Sequence, residues 1–95
     1  MSDQTDKAIE EVLQGQPRAA ELEEMVSALR VRRETFEREL QSAATPAKKK
    51  DWTARLREVD KQIELLRQEA AITDFVEQSV RAAVTRPRPR FEDQD

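Results

Sequence analysis

Two apolar stripes of matching spacing flank Ala43-Ala44-Thr45-Pro46, and together they leave this chain little choice besides a helical hairpin. Backwards from the break run Leu40, Phe36, Arg33, Leu29, Val26 and Leu22; forwards run Trp52, Leu56, Val59, Ile63, Leu66 and Ala70. Both sets step by alternating three and four residues, the spacing that holds side chains on one side of a slightly supercoiled helix. Folding the chain back at the break sets Leu40 beside Trp52, Phe36 beside Leu56, Leu29 beside Ile63 and Val26 beside Leu66. The composition agrees with long exposed helices rather than a thick core. Charged residues make up 39% of the 95-residue chain and glycine occurs once, against roughly 25% charged in an average globular protein. The expected fold class is all-α: an antiparallel, coiled-coil-like helical hairpin with a short N-terminal helix, forming a four-helix core as a dimer.

In chain order, Ser2 to Asp6 supplies capping residues, and a first helix is expected over about 6–14, with Ala8, Ile9, Val12 and Leu13 on one face. Gly15-Gln16-Pro17 interrupts it, because Pro17 lacks a backbone donor and clashes with the preceding turn, yet is tolerated at the start of a new helix. A long helix follows over about 18–43. A third is expected over about 47–84, starting at Pro46 behind a Thr45 cap or, if Lys48-Lys49-Lys50 disfavour the first turn, at Asp51. Beyond Ala70 the stripe meets Thr73, and the apolar residues move to Ile72, Phe75, Val76 and Val80. A continuous helix with a stutter near Thr73 is favoured over a break with Asp74 and Glu77 as a restart signal, since no Gly or Pro lies between Asp51 and Arg86. The register carried past Pro17 sets Val12 against Val80 and Ile9 against Ala83. Residues 1–85 thus form one domain, and 86–95, with Arg86, Arg88 and Arg90 spaced by prolines and then an acidic end, read as a disordered tail.

Several function classes fall away on residue type. The chain holds no cysteine, histidine or tyrosine, which removes thiol chemistry, zinc-thiolate sites and the usual base for a serine nucleophile. One glycine cannot build a phosphate-cradling loop. Carboxylates such as Glu21, Glu23, Glu24, Asp60 and Glu64 lack the histidine that completes a helix-borne di-metal site. No cofactor or metal is therefore expected, and no catalysis. No run approaches the ~18 apolar residues of a membrane span, so the expected setting is the cytoplasm, away from membranes.

The remaining candidates are surfaces. Leu65, Ile72 and Phe75 lie off the seam and, with Met25 on the second helix, form a further apolar strip; such strips mark association surfaces, and a homodimer is the first expectation, with a protein partner of another kind the second. Arg33 interrupts the seam opposite Val59 and next to Asp60; snorkelling, with the stem buried and the guanidinium in water, is favoured over alignment through an ion pair with Asp60 or Glu37 and over a ligand or partner site. Arg30, Arg32 and Arg33, with Lys48, Lys49 and Lys50 at the tip, are the densest basic clusters and the candidate anion-binding residues. Interleaved acids, a net charge of -3 and the lack of aromatics other than Trp52 nearby favour a solvated charged face instead.

Glu23, Ser27 and Arg30 have the spacing with which the helical signature of a family of anti-sigma-factor hairpins opens, and in that respect this segment resembles them. The resemblance implies an arginine-lined dimer groove for cyclic di-GMP. The pattern departs at Glu34 and Arg38, where the family carries glutamine and aspartate. The functional expectation is a non-catalytic interaction or regulatory module built on a dimeric helical hairpin, with nucleic-acid or nucleotide binding through the Arg30/Arg32/Arg33 face and the lysine tip as the alternative.

Overall fold

A computed structural model describes residues 3 to 85, and among them there are three helices and no strand: α1 (Asp3–Leu13), α2 (Ala19–Ser42) and α3 (Pro46–Thr85). The tail expected to be disordered, 86–95, lies outside the described residues. α2 and α3 form the antiparallel hairpin, and α1 packs on α3. The molecule is a thin rod, 80 × 22 × 18 Å.

The turn at the tip follows the chemistry of its residues. Ala43, extended at φ -66° and ψ 127°, ends α2 while its N–H still donates to the Leu40 carbonyl. Thr45 then caps α3: its hydroxyl accepts the Lys48 N–H at 3.2 Å and its carbonyl accepts the Lys49 N–H at 3.0 Å. Pro46 occupies the first helical position, where its missing donor costs nothing. The three lysines therefore do not delay the helix to Asp51. A hydrogen-bonding cap and a preset proline φ outweigh an unfavourable charge–dipole term of a few tenths of a kcal/mol per exposed lysine.

The seam is where the spacing sets it. Leu22 and Val26 of α2 are 1% exposed, and Leu56, Val59 and Ala70 of α3 are buried, with Leu29, Phe36, Ile63 and Leu66 half-buried along the same line. Helix α3 is continuous over 40 residues, as favoured. The stutter is not there. Thr73 and Glu77 are buried at the next two steps of the same three-four rhythm, while Ile72 and Phe75 stay exposed. Polar side chains hold the seam positions, so the phase persists although the hydrophobicity does not.

The turn before α2 differs from expectation in detail. Gln14 (φ 53°) and Gly15 (φ 84°) both enter the left-handed region and close off α1, with the Gln16 N–H donating to Leu13 at 3.0 Å. The helix begins at Asp3, three residues earlier than expected, and turns Thr5 and Ile9 inward, Ile9 being fully buried. Val12 is 55% exposed and so does not pack into the seam against Val80. Leu13 is half-buried instead, beside Leu22, Ile72 and Val76.

Candidate interaction surface

The most elaborate polar arrangement lies where α1, α2 and α3 meet. Arg18, extended at φ -74° and ψ 161°, immediately precedes α2, and its N–H is taken by Glu21 at 2.9 Å, one half of a capping box. The Arg18 Nη2 donates to Glu77 Oε1 at 3.0 Å, and the Ala19 N–H donates to the other carboxylate oxygen at 2.6 Å. Glu77 thus caps α2 from across the hairpin, satisfying one of the amide donors that a helix start leaves open. Asp6 of α1 comes within 3.8 Å of Arg18 Nη1, so one guanidinium ties all three helices.

The electrostatics of this junction are mutually consistent. Burial pushes the Glu77 carboxyl up, but the Ala19 N–H and then Arg18 and Arg81 outweigh it, and the net position is below the usual glutamate range. The hydrogen bond to Glu77 raises Arg18 in turn, against the opposing effect of burial. The Nε of Arg18 is buried with no hydrogen-bond partner among the described residues, a cost that the two-oxygen contact of Glu77 must offset. Sequence reasoning missed this junction. Its signal was present in part: the three-four step continued from Ala70 lands on Thr73 and Glu77, and an arginine follows Pro17 within a turn of the level that the pairing sets opposite Glu77.

Halfway along the seam, Arg33 is ion-paired across the hairpin rather than snorkelling free into water, the favoured expectation. Its Nε donates to Asp60 Oδ1 at 2.5 Å, its Nη2 lies 3.4 Å from Oδ2, and Nη1 pairs with Glu37 on its own helix. The hydrogen bond to Asp60 raises the arginine further above its ordinary value, with desolvation opposing. Nearer the tip, the Phe36 and Trp52 rings meet at 5.3 Å and 51°, within the range of favourable tilted pairs, and the Arg55 guanidinium covers the indole at 4.7 Å. Phe36 reaches a turn closer to the tip than the paired register implied, because a long ring can span it.

The four side chains of the expected apolar strip are exposed. Met25 is 46%, Leu65 57%, Ile72 65% and Phe75 71% accessible. Leu65 and Ile72 stand two turns apart on α3 with Phe75 one turn further, and Met25 stands one turn along α2 from the buried Leu22. Of the four, Ile72 also lines a depression with the apolar Leu13, Pro17, Leu22 and Val76, edged by Gln16, Glu69 and Thr73.

The basic candidates do not converge. Arg30 and Arg32 are exposed but two residues apart, and so point to different sides of α2, while Arg33 is engaged with Asp60 and Glu37. Lys48, Lys49 and Lys50 are exposed at the tip, roughly 15 Å along the axis from Arg33. Within a single chain the six residues form separate patches rather than one anion site. Among the described residues no group of three or more carboxylates is placed to hold a metal ion, and no helix is long and apolar enough to cross a membrane. No family model, curated protein or solved structure matches this chain.

Proposed function

We propose that this chain is a non-catalytic interaction module of the cytoplasm that pairs with a second copy through the Met25, Leu65, Ile72 and Phe75 strip. The supporting observation is that strip: four large apolar side chains, each about half exposed or more, on a rod whose own seam is one layer thick. Burying them against the same strip of a second hairpin adds a second layer and makes a four-helix core. Large apolar patches left in water are the usual mark of an association surface. The basic patches carry the competing reading, nucleotide or nucleic-acid binding; the exposed tip lysines Lys48, Lys49 and Lys50 have no carboxylate within ion-pair distance among the described residues.

Sedimentation equilibrium decides the first reading. Dimers are expected at micromolar concentration, and Phe75→Glu, at a position 71% exposed and therefore harmless to the hairpin, is expected to return the protein to monomer. A folded protein that stays monomeric at high micromolar concentration overturns the proposal. Binding to generic DNA, RNA or a nucleotide panel that weakens steeply with salt would favour the basic patches instead.

A further inference from the structure

We propose that α1 is an exchangeable arm, which leaves its own α3 and docks at the same place on α3 of a second copy. The inference deepens the dimer reading above and rests on it. Its first basis is what α1 touches. α2 begins opposite Glu77, since Arg18 and Ala19 both bond to that carboxylate. The last stretch of α3, Glu77 to Thr85, therefore runs past the start of α2 and is left for α1, whose packing is on α3 and not on α2. At about 1.5 Å per residue, the 11 residues of α1 and the overhang of α3 are similar in length. An arm whose backbone packs on α3 finds that packing again on a second copy, where that copy's Arg18, bonded to its own Glu77, also stands ready for Asp6.

The second basis is the hinge. A helix of 11 residues is marginal on its own, so α1 needs a docking surface, but only Thr5 and Ile9 among its described side chains are buried there. It is joined to α2 by Gln14 to Arg18, in which Gln14 and Gly15 are both held at positive φ. That conformation is unfavourable for glutamine and is required by the closed arm. Pro17 prevents α1 and α2 from merging into one helix, so an opened arm remains a separate element. Short hinges under strain are those that favour exchange between copies.

The third basis is position. The hinge residue Pro17 and the last arm residue Leu13 line the apolar depression with Ile72. Two hairpins joined through Ile72 and Phe75 about a two-fold axis bring both hinges close to that axis. Five extended residues span roughly 17 Å, enough to cross to the neighbouring α3.

The test uses full-length chains. Ile9→Asp disables the arm; Val80→Asp, at the half-buried seam position beyond Glu77, disables the acceptor while leaving the α2–α3 seam in place. Mixed one to one and weighed by native mass spectrometry, the two variants are expected to give mixed dimers several-fold above the statistical share, because only the mixed pair holds one intact arm on one intact acceptor. Mixed and like pairs in the statistical 1:2:1 ratio overturn the exchange while leaving the dimer reading standing; monomers alone, with wild type also monomeric, overturn both. A second variant keeps the result independent of the aspartates. A Cβ at Gly15 meets nothing within 4 Å, so Gly15→Ala acts only through its φ of +84°. Strain confined to the closed hinge is expected to tighten dimerisation roughly fivefold or more, and an unchanged or weaker dimer counts against the arm.

Discussion

Glu77 shows how a polar residue at a seam position can be structural. It sits where an apolar residue is expected, is 9% exposed, and uses both oxygens, one on Arg18 and one on the first amide of α2. In Glu77→Gln the shape persists but the charge that holds Arg18 is lost, and a loss of about 2 kcal/mol is expected at neutral pH, the size of a hydrogen bond to a charged group. The pH dependence follows from linkage. Glutamate unfolded titrates near 4.5, and in the folded chain the Ala19 N–H and Arg18 overcome burial and hold Glu77 lower. Its contribution is therefore complete above about 4.5 and fades as the pH falls through the depressed value. Urea unfolding of wild type and Glu77→Gln at pH 7 and pH 3 should show a gap that closes in acid; a gap of equal size at both means that the carboxylate charge is not what stabilises the junction. This residue was legible in position but not in role. The spacing reaches it, yet a threonine and a glutamate in succession look like a change of phase, and only the partner across the hairpin, Arg18, reveals otherwise.

At the scale of elements, the hairpin could be read from the sequence because its two stripes share one rhythm around one proline. Where the determinants are local, sequence and structure agree: Thr45 caps and Pro46 starts α3. They part at α1, where the carried register set Val12 against Val80 and Val12 is 55% exposed instead. A short helix takes its rotation from the surface it lands on, and the left-handed residues Gln14 and Gly15 separate α1 from the rhythm of α2. The energetic weight of the seam is testable against its outer face. Leu22, 1% exposed, should lose about 2–4 kcal/mol on truncation to alanine. Val31, 64% exposed on the same helix, should change by less than about 0.5 kcal/mol, with the better helix propensity of alanine tending to stabilise. Equal losses from thermal unfolding of the two variants would mean that α2 buries a face other than the one described.

For the whole molecule, the decisive quantity is thinness. The radius of gyration is 21.3 Å, against roughly 12 Å for a compact chain of this length. Few side chains are enclosed on all sides, and Ile9, Leu22 and Val26 are the large ones nearest complete burial. A single layer of this kind offsets chain entropy only narrowly, because each seam residue touches neighbours on one side alone. Pairing through Met25, Leu65, Ile72 and Phe75 would supply the missing layer, and folding would then be linked to association. Linkage has a signature that does not depend on detecting the dimer directly. If the folded species is mainly dimer, unfolding also separates two chains, and the thermal midpoint rises with concentration. For two 95-residue chains with ordinary unfolding enthalpies, a hundred-fold increase in concentration corresponds to about 5–10 °C. Phe75→Glu should flatten that dependence and unfold near the dilute limit of the wild type, since its site is exposed in the single hairpin. Calorimetry over two decades of concentration separates the cases: a midpoint independent of concentration in the wild type means that the one-layer hairpin is stable alone, and the strip must then serve something other than a second copy.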